Sequence, residues 1–377
     1  MKISYIHNCR MPTEKAHGYQ IAKMCEAFSD NGVEVELIVP TRQNHIKENI
    51  FDYYKIKNNF SIKYLKFIDF LAWSWLPQRI GFIFISLEFL MIAFFQKIDK
   101  DRIIYTRTPE IAWLFSMRGY KTFFECHQLP EKKSIILNWL LKNTNGIITI
   151  TNGLKQDLVK DYNYPIAKIL TAPDGVDLDT FDIKITREQA RTQLALPLDK
   201  KIALYTGHLF SWKGVDTLAQ ASKTISDDIL IYTVGGDENE IKNFNKRNPD
   251  HKIINIPAVS REEVAIWLKA SDLLILPNSA KEKISEKYTS PLKLFEYMAS
   301  GTPILASDLP SIREVLNETN ATFFQSDNHD DLLLQLLNLR STPHVNLFIA
   351  KSSKAYKQIH LYLWNNRAST IFTLINI

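Results

Sequence analysis

The stretch KYTSPLKLFEYMASGTPILAS, residues 287–307, places a lysine where a helix would not ordinarily want one. Ser290 has the chemistry of an N-cap and Pro291 that of a first helical residue, yet Lys293 follows where a capping box would put Glu or Gln. A cation in the first turn faces the positive end of the helix dipole, at a cost of a few tenths to ~1 kcal/mol. A bound anion reverses that sign, because the free amides of Leu292 and Lys293 and the Lys293 ammonium would all converge on it. The alternative is a solvated lysine on a surface helix.

A second cation belongs to the same chemistry. In YTGHLFSWKGVDTLAQA a strand ends at a glycine-bearing turn around Gly207 and His208, and Lys213-Gly214 then opens a helix, so another ammonium and more free amides face the end of the sheet. Glu296 lies six residues past Ser290, inside its helix, where a carboxylate gains nothing from the dipole. It could accept two hydrogen bonds from a ribose diol, as acidic residues do in other nucleotide folds, or be an ordinary surface glutamate. His127, in FECHQLP, follows an apolar run; such a lone histidine is ordinarily structural.

The elements that must position these residues follow a βαβ rhythm. Residues 3–6, 33–39, 103–106, 122–125 and 147–150 read as strands, and GYQIAKMCEAFSDNG as a helix stopped by Gly32. The rhythm breaks at TAPDGVDLDTFDIKITREQARTQLALPLDKK, a polar stretch read as a linker. IALYTG, ILIYTVGG, KIINIP, DLLILP and TPILAS then form a second series. The expected class is α/β, with two doubly wound Rossmann-like domains: 1–180, 181–350, and a C-terminal helix over 351–377 returning toward the first. Ligands of such sheets sit beyond the carboxyl ends of the strands.

Composition bounds the rest. The 377 residues are 45% hydrophobic and 23% charged, with a net charge of +5 spread along the chain, which suits anionic ligands or an anionic membrane face better than nucleic acid. Cys9, Cys25 and Cys126 form no C-x-x-C pair, which fits a reducing cytoplasm, and MKISYIHNCRMP reads as a strand and loop rather than a signal peptide. The twelve glycines build neither G-x-G-x-x-G nor a Walker loop, which disfavours nicotinamide dehydrogenases and P-loop kinases. Asp177-Leu178-Asp179 is a D-x-D of a kind that recurs by chance, and no His or Cys cluster has ligand spacing, so no metal or other cofactor is expected. IGFIFISLEFLMIAFF, residues 80–95, is too short to span a bilayer and reads as a buried helix. Alternatively it joins the preceding segment, where Lys55, Lys57, Lys63 and Lys66 interleave with Phe60, Tyr64, Phe67, Phe70, Trp73 and Trp75, as a dock for anionic headgroups on the inner face of the cytoplasmic membrane.

At the glycine turn, the Lys-Gly pair and EYMASGTPILAS, the second half resembles the family 4 retaining glycosyltransferases, the group 1 glycosyl transferases of GT-B fold. The resemblance runs from IALYTG through VSREEVAIWLKASDLLILPNS to SIREVL, and RMPTEKAHGYQIAKMCEAF, YTRTP, FECHQLP and PDGVDLDTF extend it over most of the chain. It implies two domains facing a central cleft, the first for the acceptor and the second for a nucleotide-sugar donor. Lys213 and Glu296 then match the diphosphate and ribose positions, and the amides of Leu292 and Lys293 the pyrophosphate cradle. Gly18 matches the place where backbone approaches the diphosphate, His127 a histidine on the donor sugar, and Val259 the backbone that meets the base. The implied reaction is transfer with retention, by front-face attack of a glycan or lipid-linked acceptor while the domains close.

Two positions depart from the pattern. The usual Arg after the glycine is His208, a missing or titratable phosphate charge. Tyr288 stands where the first glutamate of E-x7-E, a holder of sugar hydroxyls, would be, and Glu286 is out of register. Besides a transferase making surface polysaccharide or glycolipid, these departures leave room for a nucleotide-sugar epimerase of the same architecture or a non-catalytic nucleotide-sugar-binding subunit.

Overall fold

A computed structural model describes residues 1–70 and 77–376, which divide into two compact units, Met1–Pro173 with Trp364–Ile377, and Asp174–Leu363. The first holds strands β1 (Lys2–Ile6), β2 (Glu34–Pro40), β3 (Ser61–Leu65), β4 (Ile103–Thr106), β5 (Thr122–Cys126), β6 (Gly146–Thr149) and β7 (Ile169–Thr171). The second holds β8 (Lys201–Thr206), β9 (Ile229–Val234), β10 (Ile253–Ile256), β11 (Leu273–Leu276), β12 (Ile304–Ser307) and β13 (Thr322–Phe324).

Each set forms one parallel sheet, in the orders β3-β2-β1-β4-β5-β6-β7 and β10-β9-β8-β11-β12-β13. Central strands such as LLIL of β11 are fully buried, because helices cover both faces of a parallel sheet. Alternate residues of the second sheet feed separate cores: Ile202, Leu204, Leu274 and Leu276 pack on one face, and Ala203, Tyr205, Leu273 and Ile275 on the other. In each sheet the strand order reverses once, between β1 and β4 and between β8 and β11. That is where a doubly wound sheet opens a crevice for a ligand. The architecture is GT-B, with two Rossmann-like domains.

Three strands escape the sequence reading, and all are edges. β3, SIKYL, fully buries Leu65 alone and has no apolar run to mark it; β7 and β13 are three residues long. The helix expected from Gly18 is α1 (Ala16–Asp30). The apolar segment forms α2 (Gln78–Phe94), followed by α3 (Pro109–Met117) and α4 (Ile135–Leu141). The stretch read as a linker is largely structured within the second unit. Thr186 and Gln189 close a capping box on α5 (Arg187–Gln193), and buried Arg191 meets Asp272 at 2.6 Å and donates to four backbone carbonyls. Asp272 also accepts the Ile202 amide at 2.8 Å, which ties that helix to β8. The second unit continues with α6 (Val215–Ser222), α7 (Glu238–Arg247), α8 (Arg261–Ala270) and α9 (Leu292–Ser300). The last helix, α10 (Trp364–Ile375), packs against α1 in the first unit, where Arg367 donates to the Pro173 carbonyl at 2.8 Å.

Candidate functional site

The second unit gathers Gly207, Lys213, Lys293 and Glu296 at the β8–β11 reversal. β8 ends in Gly207 at φ +118°, a conformation that suits glycine. A Cβ there would stand 3.1 Å from Lys293 Nζ, so the missing side chain leaves the ammonium its place. The next turn, Ser211–Lys213, ends in Gly214 at φ +75°, where a Cβ would lie 1.7 Å from the Pro277 carbonyl oxygen. The loops after β8 and β11 are therefore pressed together, and no other residue fits between them. From the opposite side Tyr297 of α9 accepts the Thr206 amide at 2.9 Å, which fixes the helix carrying Lys293 and Glu296 against the end of β8.

Among the described residues neither Lys213 nor Lys293 forms an ion pair with a carboxylate. Lys293 is buried, and among the described residues its Nζ has no hydrogen-bond partner; it lies 3.6 Å from the centroid of Tyr205. Burial and then the charge of Lys213 hold its pKa well below the usual lysine value, with Glu296 pulling weakly the other way. Lys213 is half-buried with Nζ 4.4 Å over the Trp212 ring, and burial lowers its pKa to about 8. A cation–π contact offers about 0.5–2 kcal/mol. Taking an ammonium out of water costs several kcal/mol, so the rings offset only part of it. An anion with oxygens for both lysines, above the first-turn amides of α9, would supply the rest.

Ser290 is not the cap of that helix. Its Oγ accepts the Asp174 amide at 3.0 Å, Pro291 occupies the N-cap position, and Leu292 is the first helical residue. The reason is local: Pro291 sits at ψ 126°, extended rather than helical, so the helix begins one residue later. Glu296 is a buried carboxylate, not a surface one, and its Oε1 accepts from Arg261 Nη2 at 2.6 Å. Arg261 opens α8 and lies over the Phe181 ring at 5.3 Å. This partner was missed because its sole signal was a basic residue directly after Ser260, the cap of α8.

His208 finds its partners within its own unit. Its Nδ1 meets Glu240 Oε1 at 2.9 Å and its ring stacks on Phe210 at 5.1 Å, while Glu240 Oε2 accepts the Leu209 amide at 3.1 Å. The loop after β8 is thus pinned to the first turn of α7. Tyr288 is buried at the end of the turn Ile284–Tyr288, with Lys283 Nζ 5.1 Å over its ring. Val259 is half-buried against the core just ahead of the α8 cap.

Gly18 and His127 belong to the first unit. Gly18 lies in the first turn of α1, as expected of the helix read from it, and a Cβ there would come 2.2 Å from Tyr54 Oη and 2.5 Å from Thr13. Close packing is what demands glycine there. His127 follows β5 and its Nε2 meets Glu125 Oε1 at 2.6 Å. Glu125 is fully buried, which would raise its pKa, but Arg107 at 2.8 Å and Arg367 at 3.2 Å outweigh burial and hold it well below the usual carboxylate value. Tyr105 donates to the same carboxylate, so the imidazole is oriented by a permanently charged group. Among the described residues no group of three or more His, Cys, Asp or Glu side chains is placed to hold a metal, and Cys9, Cys25 and Cys126 are buried and free.

Comparison with known proteins agrees with this architecture. Residues 186–354 match the model for glycosyl transferases group 1, and residues 18–180 that for glycosyltransferase family 4. A D-inositol 3-phosphate glycosyltransferase of Xylanimonas cellulosilytica is 26% identical over 216 residues, 54% of this chain and 50% of that protein. The chain spans about half the length of the curated relatives it matches. Among solved structures, sucrose-phosphate synthase from Thermosynechococcus elongatus superposes with a TM-score of 0.76 at 16% identity, covering 100% of this chain and 98% of that one. The Anabaena HepE protein in complex with UDP and glucose gives 0.74 at 12% identity, covering 99% of each. At such identities these two likenesses speak for the fold alone. Together the two family models account for both units, and the chain belongs to the group 1, family 4 glycosyltransferases.

Proposed function

We propose that this protein moves a sugar from a nucleotide-sugar donor to a glycan or lipid-linked acceptor, with retention at the anomeric carbon, in surface polysaccharide or glycolipid synthesis at the cytoplasmic face of an anionic membrane. The observation that carries the reading is the pair of lysines, Lys213 and Lys293, that form no ion pair among the described residues and sit at the strand-order reversal of the second unit. Departure of a nucleoside diphosphate puts negative charge on the β-phosphate as the sugar becomes oxocarbenium-like. Lys213, Lys293 and the α9 amides are fixed donors aimed at that charge, so they act most strongly as the bond breaks. Glu296, held by Arg261, takes the ribose hydroxyls. HepE was solved with UDP and glucose, which makes uridine donors the first to try.

The test incubates the purified protein with a panel of nucleotide sugars, after a thermal-shift screen that identifies the donor by the rise in melting temperature on binding. Slow release of nucleoside diphosphate without acceptor, and faster release with it, supports transfer. Isomerised sugar would make the protein an epimerase, and binding without turnover a non-catalytic subunit.

A further inference from the structure

The first unit leaves a face uncovered that a globular core would not. α2 reads as a helix meant for burial, yet among its described residues the fully buried ones are Gly81, Ile85, Phe89 and Ala93, spaced four apart along one stripe. Its outer side exposes Ile83, Phe84, Leu87, Met91 and Phe94, and Phe95 beyond its end is 74% exposed. At 1.5 Å per residue this apolar ridge is roughly 18 Å long.

The ridge continues across the neighbouring helices. The crossovers from β3 to β4, β4 to β5 and β5 to β6 run in one direction along the sheet, and right-handed connections put α2, α3 and α4 on the same face. Trp113 of α3 packs on Trp139 of α4 with centroids 4.9 Å apart, and α4 turns Ile135, 83% exposed, and Ile136 outward. An apolar surface of this extent normally has an occupant.

The charges around it select one. Lys132 and Lys133 precede α4, Lys142 follows it and Arg79 begins α2, all exposed. Beside Trp139 a cavity of about 470 Å³ opens, with Lys142 and Lys168 at its wall next to Tyr162 and Tyr164. Among the described residues the acids on these helices are Glu88 and Glu110, with Glu131 and Asp99 on their flanks, and Glu88 is already bonded to the Ile68 amide at 2.8 Å. A second copy docked face to face by a two-fold would bring the same excess of cations to the interface from both sides. An anionic leaflet instead offers a counter-charge for the cations and an apolar boundary for the aromatic and aliphatic side chains.

We infer that the outer face of α2, α3 and α4 seats this protein on an anionic phospholipid surface, with Trp139, Phe94 and Phe95 at headgroup depth. The surface keeps residues 80–95 of the expected dock but not the segment over residues 55–75 that precedes them. There Phe60 is buried, Phe67 packs on Phe89, Phe70 packs on Phe84 and Lys57 pairs with Asp30 at 2.7 Å, while Trp73 and Trp75 lie outside the described residues. Among the described residues no helix is long and apolar enough to cross a membrane, so the contact is with one leaflet. The inference extends the membrane side of the proposed function but uses nothing of the donor site. Vesicle binding measured without nucleotide therefore stands or falls apart from turnover.

The experiment is co-sedimentation of the full chain with phosphatidylglycerol–phosphatidylcholine vesicles and with phosphatidylcholine alone, at low and high salt. The wild type should pellet with the anionic vesicles, more at low salt. Lys132→Gln, Lys133→Gln and Lys142→Gln combined should weaken binding roughly a hundredfold, at about fivefold per lysine. Leu87→Glu with Met91→Glu should abolish it, and Lys55→Gln with Lys57→Gln should leave it unchanged. Hydrogen exchange on the wild type guards against misfolded variants, with vesicles expected to protect residues 83–95 and 135–142. The inference is overturned by failure to pellet, by unprotected helices, or by a vesicle-free dimer that Leu87→Glu dissociates.

Discussion

Lys293 Nζ lies 3.6 Å from the centroid of Tyr205, a buried ammonium that faces a ring where an anion would satisfy it. The ring offsets part of the desolvation and leaves the rest for a ligand. Lys293→Met should therefore raise stability while abolishing donor binding, since replacing a buried charge with a packed apolar chain is often neutral to stabilising by about 1–4 kcal/mol. In thermal unfolding we expect a melting temperature a few degrees above wild type, at roughly 2–4 °C per kcal/mol for a domain of this size. A drop in melting temperature would mean that the ammonium has a structural counter-ion.

Lys213→Ala and Glu296→Ala should each cut turnover by about 10²–10³, the usual loss when one fixed donor to a developing charge is removed, with the fold intact by circular dichroism. Wild-type rates in both would remove the site from the second unit.

Donor affinity should fall as pH rises above about 8. The free protein holds the Lys213 pKa at about 8, below the ordinary 10.5, and Lys293 is also depressed; a bound diphosphate raises both, so binding takes up protons. The same shift has the opposite sign for folding: a lysine whose folded pKa is depressed costs stability below about pH 8, and the cost is relieved as pH rises toward 10.5. Calorimetry of UDP binding at pH 8.5, in buffers of different ionisation heat, should show proton uptake. A buffer-independent enthalpy with flat affinity from pH 7 to 9.5 would contradict it.

Gly214→Ala should unfold the second unit at lower urea. A Cβ 1.7 Å from the Pro277 oxygen, at φ +75°, combines left-handed strain with overpacking, together about 3 kcal/mol. An unchanged urea midpoint would show that the loops after β8 and β11 are not locked.

Turnover is expected to survive EDTA, because the charge on the leaving diphosphate is met by lysines and amides. Loss of activity on chelation, restored by magnesium or manganese, would place a metal in the reaction.

Local patterns carried much of this protein in the sequence itself. Central strands such as LLIL were legible because both faces of a parallel sheet are buried, and Lys293 stood out because a first-turn cation opposes the dipole. What tertiary structure decided were matters of partnership across the chain. Ser290 gave its oxygen to the Asp174 amide, 116 residues away, instead of to its helix; Glu296 found Arg261; His208 found Glu240. The edge strand β3 and the outward side of α2 were illegible for a related reason. Periodicity records what a residue is, while burial depends on what the rest of the chain lays over it, and Ile83, Leu87 and Met91 of α2 stay exposed.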